Sequence, residues 1–487
     1  MKQFDAVHLI VARKQPFVRE VFVRLMDIQG VISVTFVGSF CDRDDLSGIS
    51  DIDVVVVCET LNQKVFDACA QAAASLTPRL LGLPNHSLYV NTTFGPLKFD
   101  REGLVVIHLM VYDKAGHRSH VLKSPFTCLD WERSRIYCGL NLAEIYPVLC
   151  LQPDDFVSAR RSLNSYTDDL FRGVLSYRSY SFTDDVPLEK LEQIHLDQRL
   201  RGEYAFHIVK NLLQNYFKYV RRQNVSLTTD ELIVFWRECL PSCAIYADEF
   251  LALQDAKLHR VTAYPANTLD FAKNFLALFQ IEFERTISKS QRIVFIRHAR
   301  TGFNDGSFLG QGRNPGILTS PEPMLQIFSK VFSSPLLRAL ETAVALRPNA
   351  PVYLDNRLTE INYGVVEGMT FEQVMLQYSE LVAAWSRGED VPFPGGENMA
   401  DVNCRLVDFL DSICEDLESP VLVVTHNVVI RCLLGNLLGV PLRLWFKLRV
   451  EHLDPIEVIR SGDKLYLNLT GLQKALITDS LVNFRTP

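Results

Sequence analysis

The sequence predicts an α/β protein of several domains, with an N-terminal α/β domain, a central helical bundle and a C-terminal α/β domain. Strand-like runs rich in Val and Ile occur near the start of the chain and again after residue 290. The stretch between them carries apolar residues at three- and four-residue spacing. The length of 487 residues agrees, since domains average roughly 150 residues. We place the domains at residues 1–148, 149–288 and 289–487.

The individual elements follow from local patterns. Strands bordered by Gly or Asp are predicted in the N-terminal domain at Val31–Val37, Ile52–Cys58 and Leu104–Tyr112. The central segment has few strand-like runs, and helices are predicted there over 200–220 and 266–287. The C-terminal domain opens with a strand at Arg292, after which strands and helices alternate.

Composition restricts the function classes. A formal net charge of −7 gives no general affinity for nucleic acid or an anionic membrane, so neither is expected as a partner. The longest apolar stretch falls far short of the ~20 residues of a membrane helix, and no signal-peptide pattern is visible. The eleven cysteines lack metal-binding spacing, which predicts reduced thiols and a cytoplasmic location.

The C-terminal domain carries Arg297 and His298 at the end of its first strand. Side chains at the carboxyl end of a buried strand lie where α/β folds build their sites. An imidazole can attack phosphorus when its tautomer is fixed and cations neutralise the phosphoryl oxygens. Arginine suits the second task, because its planar fork matches phosphate oxygens. An Arg-His pair alone is also compatible with a structural histidine.

Further motifs follow this pair in a fixed order. They are Ser333-Ser-Pro-Leu-Leu-Arg338, Leu358-Thr-Glu360, Pro394-Gly-Gly-Glu397 and Val423-Val-Thr-His426. With these motifs, residues 291–465 resemble the histidine phosphatase superfamily, in the branch of phosphoglycerate mutase-like and fructose-2,6-bisphosphatase-like phosphatases. The resemblance implies a three-layer α/β/α fold and hydrolysis of a phosphate monoester substrate without any cofactor.

The resemblance also implies residue roles. His298 would be the nucleophile that carries a phosphohistidine, and Glu360 the general acid that protonates the leaving oxygen. The rest of the phosphate pocket would be formed by Arg297, Arg338 and His426. A general acid that works near neutral pH needs a raised pKa, which a partly closed pocket can provide for Glu360.

Substrate-binding residues are expected directly after the nucleophile. They are Arg300, Thr301 and Asn304, of which Asn304 matches the pocket asparagine of the family. Many relatives have Gly-Glu where this chain has Ala299-Arg300, so Arg300 either contacts an anionic substrate or faces solvent. The compact stretch after Glu360 favours a phosphatase over a mutase.

The N-terminal domain has a second motif, in which Gly38-Ser39 ends one strand and Asp51-Ile-Asp53 begins the next. Aspartates separated by one residue on a strand point to the same face. Such a pair can hold Mg²⁺ against a nucleoside triphosphate. The Gly-Ser turn offers N–H groups and a hydroxyl to phosphate oxygens.

This motif resembles the polymerase-β-like nucleotidyltransferases, over residues 20–115. The resemblance implies Mg²⁺-dependent transfer of a nucleotide from an NTP to a small-molecule acceptor. The metal ligands would be Asp51, Asp53 and the residue at the usual third-carboxylate position, which here is His108. Histidine would serve there as base or ligand, Asp100 or Asp113 would substitute for it, or the domain has lost its activity.

The central segment adds one further motif. Arg201 and His207 have the spacing of the RNase motif of HEPN helical domains, which often accompany minimal nucleotidyltransferases. Residues six apart lie roughly 240° apart on a helix, however, and the surrounding residues are typical of a core. Arg160, Arg161, Arg199 and Arg201 are expected on solvated faces, with the lining of a triphosphate pocket as the alternative.

The combined hypothesis is a bifunctional enzyme that performs nucleotidyl transfer in its N-terminal half and phosphate-ester hydrolysis in its C-terminal domain. In one alternative, an inactive nucleotide-binding module regulates the phosphatase. In another, a toxin-like nucleotidyltransferase with a HEPN segment modifies RNA or protein.

Overall fold

The computed structural model describes residues 5–44, 46, 51–95, 103–259, 261, 263–265, 267–413 and 420–482. The chain divides into two compact units between Glu282 and Phe283. We call them unit 1 and unit 2 and describe each by itself. No helix in the described ranges is long and apolar enough to cross a membrane.

Unit 1 is built on a sheet in the order β3-β4-β2-β1-β5. Its strands are β1 (Val31–Val37), β2 (Ile52–Cys58), β3 (Ser87–Asn91), β4 (Leu104–Asp113) and β5 (Tyr137–Gly139). β4 runs parallel to both β2 and β3, whereas β1 is antiparallel to its neighbours β2 and β5. The three strands predicted from Val and Ile are confirmed, and their buried runs form the core of this sheet.

Helices surround this sheet and make up most of the later part of unit 1. They are α1 (Gln15–Met26), α2 (Ser39–Asp42), α3 (Gln63–Ala74), α4 (Lys114–Lys123), α5 (Pro125–Trp131), α6 (Leu142–Ile145), α7 (Asp155–Ser158), α8 (Leu163–Arg172), α9 (Gln198–Arg221), α10 (Thr229–Cys239), α11 (Ala247–Leu258) and α12 (Thr268–Ser288), within which the unit boundary falls. α9 contains the first helix predicted in this segment. The carboxylate of Asp197 caps it by accepting the N–H groups of Arg199 and Leu200.

A long hairpin interrupts this helical region, and the sequence prediction missed it. Strands β6 (Val174–Thr183) and β7 (Val186–His195) pair antiparallel over their whole length. Asp184 and Asp185 form the turn with φ angles of 51° and 64°. Two residues with positive φ match the twist of a hairpin, and aspartate tolerates this conformation better than most residues.

Unit 2 is a mixed α/β structure with a sheet in the order β10-β9-β11-β8-β12-β13. Its strands are β8 (Gln291–Arg297), β9 (Lys330–Ser333), β10 (Val352–Leu354), β11 (Val421–Thr425), β12 (Pro455–Ser461) and β13 (Lys464–Asn468). The first four are parallel, and β12 and β13 continue the sheet antiparallel. Its helices are α13 (Leu337–Leu346), α14 (Phe371–Gln377), α15 (Ser379–Ser386), α16 (Met399–Ser412), α17 (Asn427–Leu437) and α18 (Gly471–Val482).

The two central strands of this sheet end side by side. Arg297 at the end of β8 pairs in register with Thr425 at the end of β11. The residues that follow these two strands therefore emerge at the same edge of the sheet. Below this edge, apolar side chains of β8, β9 and β11 pack against α13 and hold it in place.

Candidate active sites

His298 follows β8 at the carboxyl edge of the sheet of unit 2. It is 3% exposed, and its N–H donates to the carbonyl of Thr425 at 3.0 Å. The next N–H, of Ala299, donates to the hydroxyl of Thr342 on α13 at 2.9 Å. Bonds from a strand and a helix therefore fix the backbone on both sides of the imidazole.

The two ring nitrogens of His298 have different partners. Nδ1 lies 2.7 Å from the carbonyl of Ala299, an acceptor, so Nδ1 carries the proton. Nε2 accepts a hydrogen bond from Nε of Arg338 at 3.2 Å. Burial lowers the pKa of His298 well below its ordinary value, and the charges of Arg338 and Arg297 lower it further. The imidazole is therefore neutral, with the lone pair of Nε2 in the site.

Two arginines supply positive charge beside this nitrogen. Arg338 lies on α13, is fully buried and donates to the carbonyls of Gly310 at 2.8 Å and Arg313 at 3.3 Å. Arg297 donates through Nη1 to the carbonyl of Val450 at 2.8 Å. Its buried Nε has no hydrogen-bond partner among the described residues. The guanidinium groups are thus held in place by backbone carbonyls, and no carboxylate in the described part of the chain is hydrogen-bonded to them.

His426 caps α17 and lies against His298, with 5.1 Å between the ring centroids. Its Nε2 lies 2.8 Å from the hydroxyl of Ser334, while its buried Nδ1 has no partner within the described ranges. Burial and the neighbouring imidazole lower the pKa of His426 well below its ordinary value. A second neutral histidine therefore borders the site.

Glu360 is 4% exposed. Its Oε1 accepts the N–H groups of Ile361 at 3.0 Å and Val428 at 3.1 Å. Burial raises the pKa of Glu360 and outweighs these hydrogen bonds and the nearby arginine charges, which act in the opposite direction. The structure thus gives this carboxyl the raised pKa that a proton donor needs.

The three expected substrate-binding residues occupy different environments. Thr301 is buried, and its N–H donates to the side-chain oxygen of Asn304 at 2.7 Å. Asn304 and Arg300 are exposed. The structure therefore joins Asn304 to Thr301 in one turn, whereas the solvent-facing position of Arg300 leaves both of its interpretations open.

Three residues that support this site were not predicted. Nδ1 of His452 donates to the backbone carbonyl of His298 at 2.7 Å. Arg405 donates to the backbone carbonyl of Glu360 at 3.2 Å and pairs with Glu397 at 3.0 Å. The third, Glu367, accepts N–H groups from the loop 310–313. No local pattern marks His452 or Arg405, because the backbone carbonyls of His298 and Glu360 that they bond to lie 154 and 45 residues away in sequence.

The second candidate site lies in unit 1. Asp53 on β2 pairs in register with His108 on β4, and Asp51 precedes β2. One ligand atom from each of these three residues lies within 4.8 Å of the other two, so the group could hold a metal ion. The predicted convergence of Asp51, Asp53 and His108 is therefore present.

His108 makes two hydrogen bonds in this group. Its Nδ1 lies 2.8 Å from Oδ1 of Asp53, and its Nε2 contacts the backbone carbonyl of Thr93. Both partners are acceptors, so both nitrogens must donate and the ring is cationic. Burial lowers the pKa of His108, but the hydrogen bond and charge of Asp53 outweigh this and raise it. In this arrangement His108 orients Asp53 by an ion pair.

Gly38 and Ser39 lie against the same group. Gly38 has a φ of 71°, and a Cβ on it would lie 2.5 Å from Oδ2 of Asp53, so only glycine fits there. Asp113, the alternative third carboxylate, lies at the far end of β4, in register with Cys58, and caps α4. This position excludes Asp113 from the site. Asp100 lies outside the described residues.

These residues open into a cavity of about 1280 Å³ within unit 1. Arg160 and Arg161 line this cavity, and their role as the lining of a triphosphate pocket stays a prediction. His207 also lines it and contacts Tyr166 at 3.4 Å, whereas Arg201 is not among its lining residues. The structure therefore does not join Arg201 and His207 in one site.

Comparisons with known proteins agree with the geometry of unit 2. Residues 324–470 match the sequence profile of the histidine phosphatase superfamily (branch 1). Phosphoserine phosphatase 1 of Hydrogenobacter thermophilus is 32% identical over 168 residues, which cover 32% of this chain and 80% of that protein. Glucosyl-3-phosphoglycerate phosphatase of Mycolicibacterium vanbaalenii is 32% identical over 179 residues, covering 32% of this chain and 77% of that protein.

A solved structure, the alpha-ribazole phosphatase of Shigella flexneri, aligns over 37% of this chain and 96% of its own, with 23% identity and a TM-score of 0.34. From the sequence relatives, the C-terminal part is a histidine phosphatase-type domain. The chain belongs to the histidine phosphatase superfamily, and that resemblance is confirmed. The likeness of unit 1 to nucleotidyltransferases stays a prediction.

Proposed function

We propose that unit 2 hydrolyses small phosphate monoesters through a covalent phosphohistidine on His298. One observation carries this proposal. The proton of the imidazole is held on Nδ1 by the carbonyl of Ala299, so Nε2 keeps its lone pair at the edge where two arginines gather positive charge.

In the first step, Nε2 of His298 attacks the phosphorus atom of the ester. A P–N bond forms while the bond from phosphorus to the ester oxygen breaks. Arg297 and Arg338 neutralise the charge that spreads over the phosphoryl oxygens. The carboxyl of Glu360 gives its proton to the departing oxygen, which leaves as an alcohol.

In the second step, water attacks the phosphohistidine. The carboxylate of Glu360 takes a proton from the water, the P–N bond breaks, and its electron pair returns to Nε2 of His298. Inorganic phosphate leaves, and both groups regain their starting protonation. The chain supplies nucleophile, positive charge and proton by itself, so the proposal assigns no cofactor to this unit.

The relatives suggest a substrate class. Two of them are named for phosphoserine and glucosyl-3-phosphoglycerate, both phosphorylated small molecules. We propose that the substrate carries a second anionic group, which the exposed guanidinium of Arg300 would contact.

Release of inorganic phosphate from a panel of phosphate esters tests this proposal. The panel should pair O-phosphoserine and 3-phosphoglycerate with esters that lack a second anionic group, such as phenyl phosphate. Arg300→Ala should raise KM for the first two and leave KM for phenyl phosphate nearly unchanged. Equal effects on all esters would contradict a role of Arg300 in substrate choice, and no turnover of any ester would contradict the phosphatase proposal.

The arrangement in unit 1 favours a second activity, and we propose magnesium-dependent transfer of a nucleotide from an NTP to a small molecule. The observation behind it is the convergence of Asp51, Asp53 and His108 on one cavity. Two carboxylates suit a cation that prefers oxygen ligands and keeps several waters. Magnesium held by Asp51 and Asp53 would neutralise charge on the triphosphate.

The remaining residues of this group bind and orient. The absence of a side chain at Gly38 allows close approach to Asp53, and Ser39 offers its hydroxyl to a phosphate oxygen. His108 holds the carboxylate of Asp53 in place. The cavity of about 1280 Å³ would leave room for an acceptor beside the nucleotide.

The His298→Ala protein provides the test, because it cannot remove phosphate groups from the products. It is incubated with magnesium, mixed NTPs and a metabolite extract, and the products are read by mass spectrometry. A nucleotidylated metabolite should form and should be absent with Asp53→Asn or with a chelator. If no product forms, the alternatives are a regulatory nucleotide-binding module or modification of RNA or protein.

A further inference from the structure

The cavity of unit 1 has a wall that the Asp51–Asp53 group does not use. We call it the inner wall and define it by Tyr112, His120, Ser124, Arg160 and Arg178, all of which line the cavity. Tyr112 lies near the end of β4, His120 on α4 and Ser124 directly after α4. Arg160 lies between α7 and α8, and Arg178 lies on β6. Several distant segments thus bring polar side chains to one place.

Three of these residues are buried and polar. Tyr112 is 1% exposed, and His120 and Ser124 are each 2% exposed. The Tyr112 hydroxyl, both ring nitrogens of His120 and the Ser124 hydroxyl have no hydrogen-bond partner among the described residues. Buried polar groups in proteins are nearly always paired, so a cluster of unpaired ones indicates a partner from outside the chain.

The inner wall also holds excess positive charge. Arg160 and Arg178 both pair with the same carboxylate, that of Glu189, which lies 3.1 Å from Nη1 of Arg178. Two guanidinium groups thus share one negative charge. Nη1 of Arg160 is buried and has no partner within the described ranges. The wall therefore presents a free donor from a charged group.

The rings in the wall are held in place. The imidazole of His120 stacks on Tyr112 with 5.1 Å between ring centroids and an interplanar angle of 23°, and it lies 5.0 Å from the ring of Trp131. Burial lowers the pKa of His120 well below its ordinary value, and the charges of Arg178 and Arg160 lower it further. His120 is therefore a neutral ring that offers one N–H donor.

We infer that the inner wall binds the oxyanion group, a carboxylate or a phosphate, of a small molecule other than the nucleotide. Two arginines that share one carboxylate leave a positive charge for it, and Tyr112, His120 and Ser124 supply neutral donors. Ligand pockets usually measure about 300–1000 Å³, so this cavity exceeds the needs of one ligand. The assignment of this molecule as the acceptor rests on the proposed nucleotidyl transfer. The inference that the inner wall binds an oxyanion does not rest on it.

Isothermal titration calorimetry on the full chain, without nucleotide or metal, tests this inference. The two probes are inorganic phosphate and L-malate, which separate the phosphate and carboxylate sources. Arg160→Gln should weaken binding by about tenfold or more, because hydrogen bonds from charged groups are the stronger ones. Tyr112→Phe keeps the ring and removes only the hydroxyl, and should weaken binding by about threefold.

Arg172→Gln is the matched control, because Arg172 lines the same cavity but is 54% exposed and pairs with Asp168. It should leave both affinities unchanged. A phosphate-binding component that none of these variants alters would belong to unit 2. The inference is overturned if Arg160→Gln and Tyr112→Phe bind both anions as the unaltered protein does, or if Arg172→Gln weakens binding equally.

The same titration with Asp53→Asn separates this inference from the proposed function. Anion binding should persist in Asp53→Asn, because the inner wall does not depend on the metal group. Anion binding by an unaltered protein that shows no nucleotidyl transfer would remove only the proposed function. Transfer that persists without anion binding at the inner wall would remove only the inference.

Discussion

The two candidate sites differ in how far the chain itself completes them. In unit 2, both nitrogens of His298, the guanidinium of Arg338 and Oε1 of Glu360 have partners supplied by the fold, whereas Nε of Arg297 and Nδ1 of His426 have none among the described residues. In unit 1, the carboxylates gather at one end of a large cavity, while polar atoms of the inner wall have no partner in the described part of the chain.

Under the two proposed functions, this difference predicts that substitutions act differently in the two units. A site whose donors are already in place stabilises charge without reorganisation when the reaction occurs. Unit 2 has that character, so single substitutions there should act directly on the rate. Unit 1 depends on what enters its cavity, so its activity should depend on metal and on ligands.

The largest effect is expected from His298→Ala. Removal of the nucleophile should lower kcat for phosphate-ester hydrolysis by about 10⁴-fold or more, because the remaining groups cannot form the covalent intermediate. The control is nucleotidyl transfer by the same protein, which should be unaffected. If hydrolysis fell only a few-fold, water would attack the ester directly and His298 would not be the nucleophile.

Glu360→Gln should come next, with a loss of about 10²–10³-fold in kcat for esters with poor leaving groups. A general acid must be protonated, and burial raises the pKa of Glu360. Activity should therefore persist up to a higher pH than an ordinary carboxyl allows and fall as the pH rises through that raised pKa. In a plot of kcat against pH, Glu360→Gln should not show this fall at high pH.

Leaving-group chemistry supplies the control for Glu360. p-Nitrophenolate leaves without a proton, so the first step of Glu360→Gln should be slowed less with p-nitrophenyl phosphate than with O-phosphoserine. The size of the p-nitrophenol burst reports this step. Equal slowing for both esters would show that Glu360 does not protonate the leaving oxygen.

A smaller effect is expected from Arg405→Ala, which tests whether preorganisation extends beyond the groups that touch substrate. Arg405 bonds to the backbone carbonyl of Glu360 and pairs with Glu397. Its loss should lower kcat about tenfold with little change in KM, because the carboxyl would be held less accurately. Arg357→Ala is the control, because the half-buried side chain of Arg357 pairs with Asp355 and makes no bond to Glu360 among the described residues. Similar kcat losses in both variants would argue for a general loss of stability.

The remaining effect concerns the stability of unit 1 and not its reactions. Burial raises the pKa of Glu132 from 4.5 to about 8. Between pH 4.5 and pH 8, Glu132 is protonated in the folded protein and ionised in the unfolded chain. The free energy of unfolding therefore falls as the pH rises from 4.5 towards 8. Glu132→Gln should remove this loss and raise the unfolding free energy at pH 8 by about 1–3 kcal/mol relative to the unaltered protein.

Chemical denaturation followed by circular dichroism at pH 5 and pH 8 measures this effect. The gain should be larger at the higher pH. A gain of equal size at both values would mean that Glu132 is already ionised in the folded protein.

The sequence allowed much of unit 2 to be predicted, for physical reasons. Arg297 and His298 end a buried strand, and His426 ends another. Parallel strands place such residues at one edge of the sheet, and the register of β8 with β11 has that result. His452 could not be found in this way, since its bond to His298 joins residues 154 apart and depends on the tertiary fold.

Unit 1 was predicted less completely. The spacing of Asp51 and Asp53 predicts a shared face, but the cationic state of His108 depends on the carbonyl of Thr93, which only the fold brings near. The β6–β7 hairpin was missed because most of its residues are half-exposed or exposed on both faces. Its strands therefore lack the clear alternation of apolar and polar residues that marks a half-buried strand.

Trapping the phosphoenzyme tests the central claim most directly. The protein is mixed with a radiolabelled phosphate monoester and quenched in base within one turnover, and the labelled peptide is sequenced. We predict acid-labile label on the peptide that contains His298, and none in His298→Ala. Label on another residue, or rapid turnover with no labelled protein at any time, would contradict the assignment of unit 2 as a site that reacts through Nε2 of His298.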